Sequence, residues 1–281
     1  MKTRILSAMV GIVVLLGVLF CPYIWVFSAA ATIFAMISVW ELLHNTGLLS
    51  HKGLLYGSML FSGAVVLSSA YLETLAKWCE PFAWILFALL ALYSALAAVM
   101  AALKKCSVTA TVALRVWNLT LYATIGFLAL VRLRLMENGL AYVLLPMVIS
   151  WMSDTGAYFT GSLFGKHKMA PVISPKKTWE GFFGGWAISV GCTALFGVLY
   201  QWIGQVQLEI SPWQMAVLAV LLAPLSVCGD LLASKIKRQY NIKDYGNIMP
   251  GHGGVMDRFD SVILIAPILY MVLFAVQFLY V

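Results

Sequence analysis

Apolar runs recur along this chain, and each is close to the ~20 residues that an α-helix needs to cross a bilayer. Such runs restrict the fold strongly, because backbone polar groups in lipid must be paired within helices or closed barrels. Windows of about nineteen residues predict nine helices. They cover residues 5–21, 22–40, 54–71, 81–103, 113–131, 140–163, 181–203, 213–230 and 261–281. Because only 10% of the residues are charged, we predict an all-α integral membrane protein with about nine transmembrane helices and a cytoplasm-facing polar site.

We expect one polytopic membrane domain over residues 1–281, with N-terminal helices in 1–140 and catalytic helices and loops in 141–281. If the N-terminus is cytoplasmic, all but three of the 18 basic residues fall on the cytoplasmic side; the exceptions are Lys77, Arg132 and Arg134. This bias follows the positive-inside rule and predicts a multi-pass protein of the inner (cytoplasmic) membrane. It also accounts for the net charge of +7 without a nucleic-acid partner, and no nucleic-acid motif is present.

Two polar stretches stand apart from the apolar runs, at residues 153–185 and 228–260. The predicted topology places both on the cytoplasmic side, so we expect them to converge on one site. They contain six of the eleven acidic residues: Asp154, Glu180, Asp230, Asp244, Asp257 and Asp260.

Four of these carboxylates indicate a metal site. Asp257 and Asp260 share a face if their segment is helical, Asp230 ends the predicted eighth helix, and Asp154 lies inside the sixth. Clustered carboxylates suit a hard cation, so we predict magnesium, with a second cation possible, bound by Asp154, Asp230, Asp257 and Asp260. The alternative for Asp257 and Asp260 is a role in capping the last helix.

Basic and glycine residues in the same stretches suit a polyphosphate ligand. Lysine and arginine offset phosphate charge, although each of them can equally serve topology or contact lipid headgroups. The turn PGHGG, residues 250–254, allows the backbone to approach an anion closely, and His252 within it is a candidate phosphate donor, proton shuttle or loop hydrogen bonder. The chain has no GxxxxGK[ST] loop, so a nucleotide would be held by the loops of the membrane domain.

The segment SKIKRQYNIKDYGNIMPGHGGVMDRFD, Ser234 to Asp260, resembles the signature of the phosphatidate cytidylyltransferases, or CDP-diacylglycerol synthases. Its one departure is Met249, where the family usually has Leu, Ile or Phe. The stretch DTGAYFTGSLFGKHKMAPVISPKKTWEGFFGG, which begins at Asp154, is similar to a second common stretch of that family. The resemblance implies that CTP and phosphatidic acid react with magnesium to give CDP-diacylglycerol and pyrophosphate, among membrane lipids and in a homodimer.

Together the residues and the resemblance predict the following site. The catalytic candidates are Asp230, Lys237, Arg238, His252, Asp257, Arg258 and Asp260. The substrate-binding candidates are Lys176, Lys177, Ser234, Lys235, Lys243, Asp244, Gly253 and Gly254. Two alternatives remain open: a CTP-using lipid or polyprenol kinase, and a transporter with Asp154 as its coupling site.

Overall fold

The computed structural model describes residues 2–49, 51–76, 93, 109–248, 251 and 253–280. Its long helices are α1 (Lys2–Phe20), α2 (Ile24–Trp40), α3 (Lys52–Ala76), α4 (Ala110–Leu135), α5 (Gly139–Phe164), α6 (Trp179–Gly204), α7 (Pro212–Gln239) and α8 (Met256–Tyr280). A π-helical turn, Glu41–Asn45, continues α2. Strands β1 (Lys168–Ala170) and β2 (Ser174–Thr178) form an antiparallel hairpin between α5 and α6.

Seven helices in the described ranges are long and apolar enough to cross a membrane. They are Ile24–Asn45, Lys52–Tyr71, Ala110–Leu135, Gly139–Phe164, Trp179–Gly204, Pro212–Gln239 and Met256–Val276. The prediction of an all-α integral membrane protein is confirmed at this level. Helix α1 coincides with the first predicted span but is not among the seven. Of the predicted helix 81–103, only Tyr93 is among the described residues.

The predicted end of the eighth helix at residue 230 is wrong, because α7 continues to Gln239. Ser234, Lys235, Lys237 and Arg238 therefore lie on the last turns of a helix and not in a loop. Lysine, arginine and glutamine lower the hydropathy of a window but favour helical backbone, and cations near a helix C-terminus complement its dipole. A hydropathy window consequently ends before the helix does.

The first of two compact units consists of residues 1–135 and 240–259. In it α2 packs against α3 and α4, and α4 also contacts the π-helical turn. Phe259, at the start of α8, lies 5.8 Å from Phe34 of α2 and 5.4 Å from Phe127 of α4 between ring centroids. These ring contacts and the fully buried Tyr245 fix the signature segment 240–259 among the N-terminal helices, although the sequence groups this segment with the catalytic half.

The second unit consists of residues 136–239 and 260–281, in which α6 packs against α5 and α7. Glycines let α5 and α6 approach closely: a Cβ atom at Gly156 would lie 3.0 Å from the Cα atom of Gly185. Small residues at such contacts are typical of membrane helices. Thr178 ends the hairpin and caps α6, since its Oγ1 atom accepts from the Gly181 N–H at 3.2 Å.

Candidate active site

Three carboxyl groups of the second unit come together, from Asp154 of α5, Asp230 of α7 and Asp260 of α8. Gly229 allows this approach, because a Cβ atom there would lie 2.9 Å from the carbonyl oxygen of Asp260. Asp154 interacts electrostatically with Asp230, and Asp260 interacts with both. We call these three residues the acidic cluster.

Lys177 of β2 neutralises part of the acidic cluster. Its Nζ atom lies 2.5 Å from Oδ2 of Asp230, and the two side chains are only 21% and 26% exposed. Lys177 also interacts electrostatically with Asp154, and Lys237 of α7 with Asp260. Three carboxyl groups thus face two nearby ammonium groups, which leaves the cluster with an excess of negative charge if all three are ionised.

Two further oxygen contacts of the cluster are local. Oδ1 of Asp230 accepts from the Ser234 hydroxyl group, one helical turn later, at 3.3 Å. Oδ1 of the buried Asp260 accepts from the Ser261 N–H at 2.8 Å. Ser234, a predicted substrate-binding residue, therefore contacts a predicted metal ligand directly.

The donor set of the acidic cluster fits magnesium in its chemistry. All three side chains offer carboxylate oxygens, which hard divalent cations prefer, and their mutual repulsion favours a cation between them. In the described part of the chain, no three Asp, Glu, His or Cys side chains are already spaced as ligands of one ion. The Lys177 ammonium group instead contacts an oxygen that a metal would use.

The other basic candidates of the second unit have more solvent contact. Lys176 and Lys235 are exposed. Arg238 is also exposed, and its Nε atom donates to the Ile173 carbonyl oxygen, in the hairpin turn, at 3.5 Å. Glu180, the second acidic residue of the stretch 153–185, contacts Nδ1 of His167 through its Oε1 atom at 2.6 Å. This contact joins the residue before β1 to the first turn of α6.

In the first unit, the described residues 240–248, 251 and 253–255 form a loop that leads into α8; we call these residues the glycine loop. Asp257 organises it, because Oδ2 of Asp257 accepts from the N–H groups of Tyr245 at 2.7 Å and Gly254 at 3.0 Å. Gly253 has a φ angle of +83° and faces the same carboxylate. Asp257 thus serves the loop that precedes its helix.

The remaining candidates of the glycine loop are placed as follows. Lys243 and Asp244 are exposed, Arg258 is exposed on the first turn of α8, and Gly253 and Gly254 are buried. His252 lies outside the described residues.

Two residues that the sequence interpretation did not select also contact the glycine loop. The fully buried Glu41 accepts from the N–H groups of Val255 and Met256, and Asn45 donates to the Tyr245 carbonyl oxygen at 2.6 Å. Glu41 carries one available signal: it is the first acidic residue in the chain and follows an apolar run directly, where an ionisable residue indicates a functional site.

Comparison with known proteins places these residues in a family context. A phosphatidate cytidylyltransferase of Staphylococcus epidermidis is 43% identical over 152 residues, which are 54% of this chain and 55% of the relative. The protein of the same name from Bacillus subtilis is 42% identical over 137 residues, 49% of each chain. A third, from Staphylococcus aureus, is 40% identical over 152 residues, again 54% and 55%. The matched region thus spans about half the length of each relative.

A family model covers far more of the chain. The model described as the cytidylyltransferase family matches residues 2–276, which include nearly all of both compact units and every residue of the acidic cluster and the glycine loop. The chain belongs to the cytidylyltransferase family.

Proposed function

We propose that this protein is a phosphatidate cytidylyltransferase, which transfers CMP from CTP to phosphatidic acid and releases pyrophosphate. The observation that carries the proposal is the acidic cluster, in contact with Lys177 and close to Lys237, on three apolar helices of a member of this family. Its relatives with this name support the choice of substrates.

Both proposed substrates are anions, so the protein must offset their repulsion and align them. Asp154, Asp230 and Asp260 would hold magnesium, which when bound would neutralise phosphate charge. Lys177 and Lys237 would bind phosphate oxygens, since charged hydrogen bonds to phosphate are short and strong. The predictions that Asp257 also binds metal, and that Lys176, Lys235, Arg238, Lys243 and Arg258 bind phosphates, extend this proposal.

The reaction needs no nucleophilic side chain. A phosphate oxygen of phosphatidic acid attacks the α-phosphorus of CTP and forms the new P–O bond. The bond from the α-phosphorus to the oxygen that bridges it to the β-phosphorus breaks, and pyrophosphate leaves with the bonding electrons. The chain's own contribution is to hold the two phosphate groups in line.

The proposed setting is the inner membrane, with the polar site facing the cytoplasm and the protein working as a homodimer. CTP would arrive from the cytoplasm, while the acyl chains of phosphatidic acid stay in the bilayer. The basic residues of α7 and the hairpin, at the polar ends of apolar helices, support this arrangement.

The test uses purified protein with phosphatidic acid in mixed micelles and CTP labelled at the α-phosphorus, with magnesium or with a chelator. We expect label in the lipid and one pyrophosphate for each CMP transferred, only with magnesium. Release of CDP with phosphorylation of the lipid would instead identify a kinase. Solute flux across vesicles without either product would identify a transporter.

A further inference from the structure

Glu41 is a fully buried acidic side chain that none of the proposed chemistry uses. It lies in the π-helical turn after α2. Its Oε1 atom accepts from the Val255 N–H at 3.0 Å and its Oε2 atom from the Met256 N–H at 2.8 Å. Both oxygens therefore serve the start of α8, 214 and 215 positions later in the chain.

This contact replaces a local helix cap. The first N–H groups of a helix have no partner within it and usually bind a side chain just before the helix. The described residues just before α8, Gly253, Gly254 and Val255, have no side-chain acceptor. A carboxyl group from another helix occupies that position, where the helix dipole favours it.

The same carboxyl group accounts for two glycines of the signature. A Cβ atom at Gly246 or Gly254 would overlap the carboxyl group of Glu41. Neither of these glycines has a positive φ angle, so their lack of a side chain is explained by space and not by backbone conformation. The glycine loop is thus shaped around Glu41.

Asn45 completes the contact from the same turn. Its Nδ2 atom donates to the Tyr245 carbonyl oxygen at 2.6 Å, while the N–H of Tyr245 donates to Asp257. A π-helical turn widens the helix locally and is often found at functional sites. Here it presents Asn45 to Tyr245, within the loop, and Glu41 to the junction of the loop with α8. Tyr245 and Gly254 also donate to Asp257.

We propose that the π-helical turn Glu41–Asn45 is a positioning element for the reaction, which fixes the glycine loop and thereby the carboxylate of Asp257. Glu41 is its central positioning residue and does not touch substrate. The inference rests on the proposed function for its kinetic test, but its structural part can be measured without turnover.

The first test compares Glu41→Gln with Ser38→Ala in the full-length protein. Glutamine has the size of glutamate, but one of its two terminal groups is an NH₂ donor. Either the Val255 or the Met256 N–H group therefore loses its hydrogen-bond acceptor. Ser38 is buried one turn earlier in α2 and provides the matched control. For Glu41→Gln we expect kcat to fall by ~10–100-fold, since small displacements at a reacting centre have effects of this size, with KM changed less than threefold.

Hydrogen exchange of the peptide 253–258 supplies the second readout. Glu41→Gln should speed exchange there and leave exchange in α3 and α4 unchanged, whereas Ser38→Ala should alter neither exchange nor kcat. Glu41→Asp keeps two acceptor oxygens, so its kcat and its exchange rate should both lie between those of wild type and those of Glu41→Gln. Wild-type kcat and exchange in Glu41→Gln would overturn the proposal, as would faster exchange throughout the first unit.

A double-mutant cycle tests the contact itself. Gly254→Ala introduces a methyl group against Glu41, whereas Glu41→Ala removes the carboxyl group that this methyl group would overlap. We expect Gly254→Ala alone to speed loop exchange, and the same change to add less than a twofold effect once Glu41 is alanine. Independent effects would show no coupling and would overturn the proposal.

The two proposals fail in different ways. If wild-type protein makes no CDP-diacylglycerol, the proposed function fails, but exchange and the cycle still decide whether Glu41 fixes the loop. If wild-type protein is active and Glu41→Gln matches it in kcat and exchange, only the positioning role is lost.

Discussion

Asp230 and Asp257 carry the same functional group, but their neighbours differ. Oδ2 of Asp230 faces the ammonium group of Lys177, whereas Oδ2 of Asp257 accepts from two backbone N–H groups. The first contact is a charge interaction and the second is a hydrogen-bond interaction. Substitution by asparagine, which removes charge but keeps an acceptor, therefore separates the two kinds of role.

Asp260→Asn should lower CMP transfer by about 100-fold or more, because a carboxylate that holds a metal-bound phosphate has no neutral substitute. Insertion and detergent stability should change little, since the side chain still accepts from Ser261. The measurement is CMP incorporation into lipid over a magnesium series. Glu137→Gln, an exposed acid between α4 and α5, is the control, and equal rates for both variants would remove Asp260 from the metal site.

Asp257→Asn distinguishes a metal ligand from an organiser of the loop. The Oδ1 atom of asparagine can accept from Tyr245 and Gly254, so exchange in the glycine loop should stay within about twofold of wild type. Turnover should nevertheless be lost if the charge binds magnesium, as the sequence predicts. Wild-type turnover with an unchanged loop would limit Asp257 to the structural role.

Lys177→Gln should lower kcat/KM. The corresponding loss of transition-state stabilisation should be ~1.5–3 kcal/mol, the usual size of a lost charged hydrogen bond. Its ammonium group is the one paired with Asp230, whereas Lys168 on β1 of the same hairpin is exposed. Lys168→Gln is therefore the matched control for topology and headgroup attraction. Equal kinetics for the two variants in correctly inserted protein would contradict phosphate binding by Lys177.

Helix α6 contains two glycines with opposite surroundings. A Cβ atom at Gly185 would overlap the Ser153 carbonyl oxygen of α5, whereas Gly191 has no heavy atom within 4 Å of that position. The contact between α5 and α6 places β2 and Lys177 next to the acidic cluster. The distance between α5 and α6 is therefore important for the geometry of the acidic cluster as well as for the stability of the protein.

Gly185→Ala should destabilise the protein by ~1–3 kcal/mol, as overpacking does. Gly191→Ala should stabilise it by up to about 1 kcal/mol, since alanine favours a helix over glycine. Thermal unfolding in detergent measures both. A stable Gly185→Ala variant would mean that α5 and α6 separate without penalty.

The helices that hydropathy predicts are those whose apolar runs match helix length, such as α5 and α6. The last turns of α7 were not predicted, because Lys235, Lys237 and Arg238 end a hydropathy window without ending a helix. The last helix was predicted to begin at residue 261, whereas α8 begins at Met256 and so includes Asp257 and Asp260. The contact of Glu41 with Val255 and Met256 has no periodic signal, since its partners lie in a segment far along the chain.

At the scale of the whole molecule, nine crossings from a cytoplasmic N-terminus predict that a reporter after residue 281 is extracytoplasmic. A reporter after Gly204 should be on the same side, and one after His167 on the cytoplasmic side.

Reporters after Leu48 and after Thr109 test the predicted helix 81–103. Both should be cytoplasmic, and opposite sides would mean that this segment does not cross. Enzymatic reporters that are active on only one side measure each position.

Residues 240–259 belong to the same compact unit as the N-terminal helices, which affects what happens when the gene is split between residues 135 and 136. A fragment that begins at residue 136 carries the entire signature and every carboxylate of the acidic cluster, but it lacks Glu41, Asn45 and the Phe34 and Phe127 rings that contact Phe259. Such a fragment would not reproduce the loop by itself. Activity from a split gene would require co-expression of the 1–135 half, and a chimera with a relative's N-terminal helices would work only if that half supplied an acid at the same place.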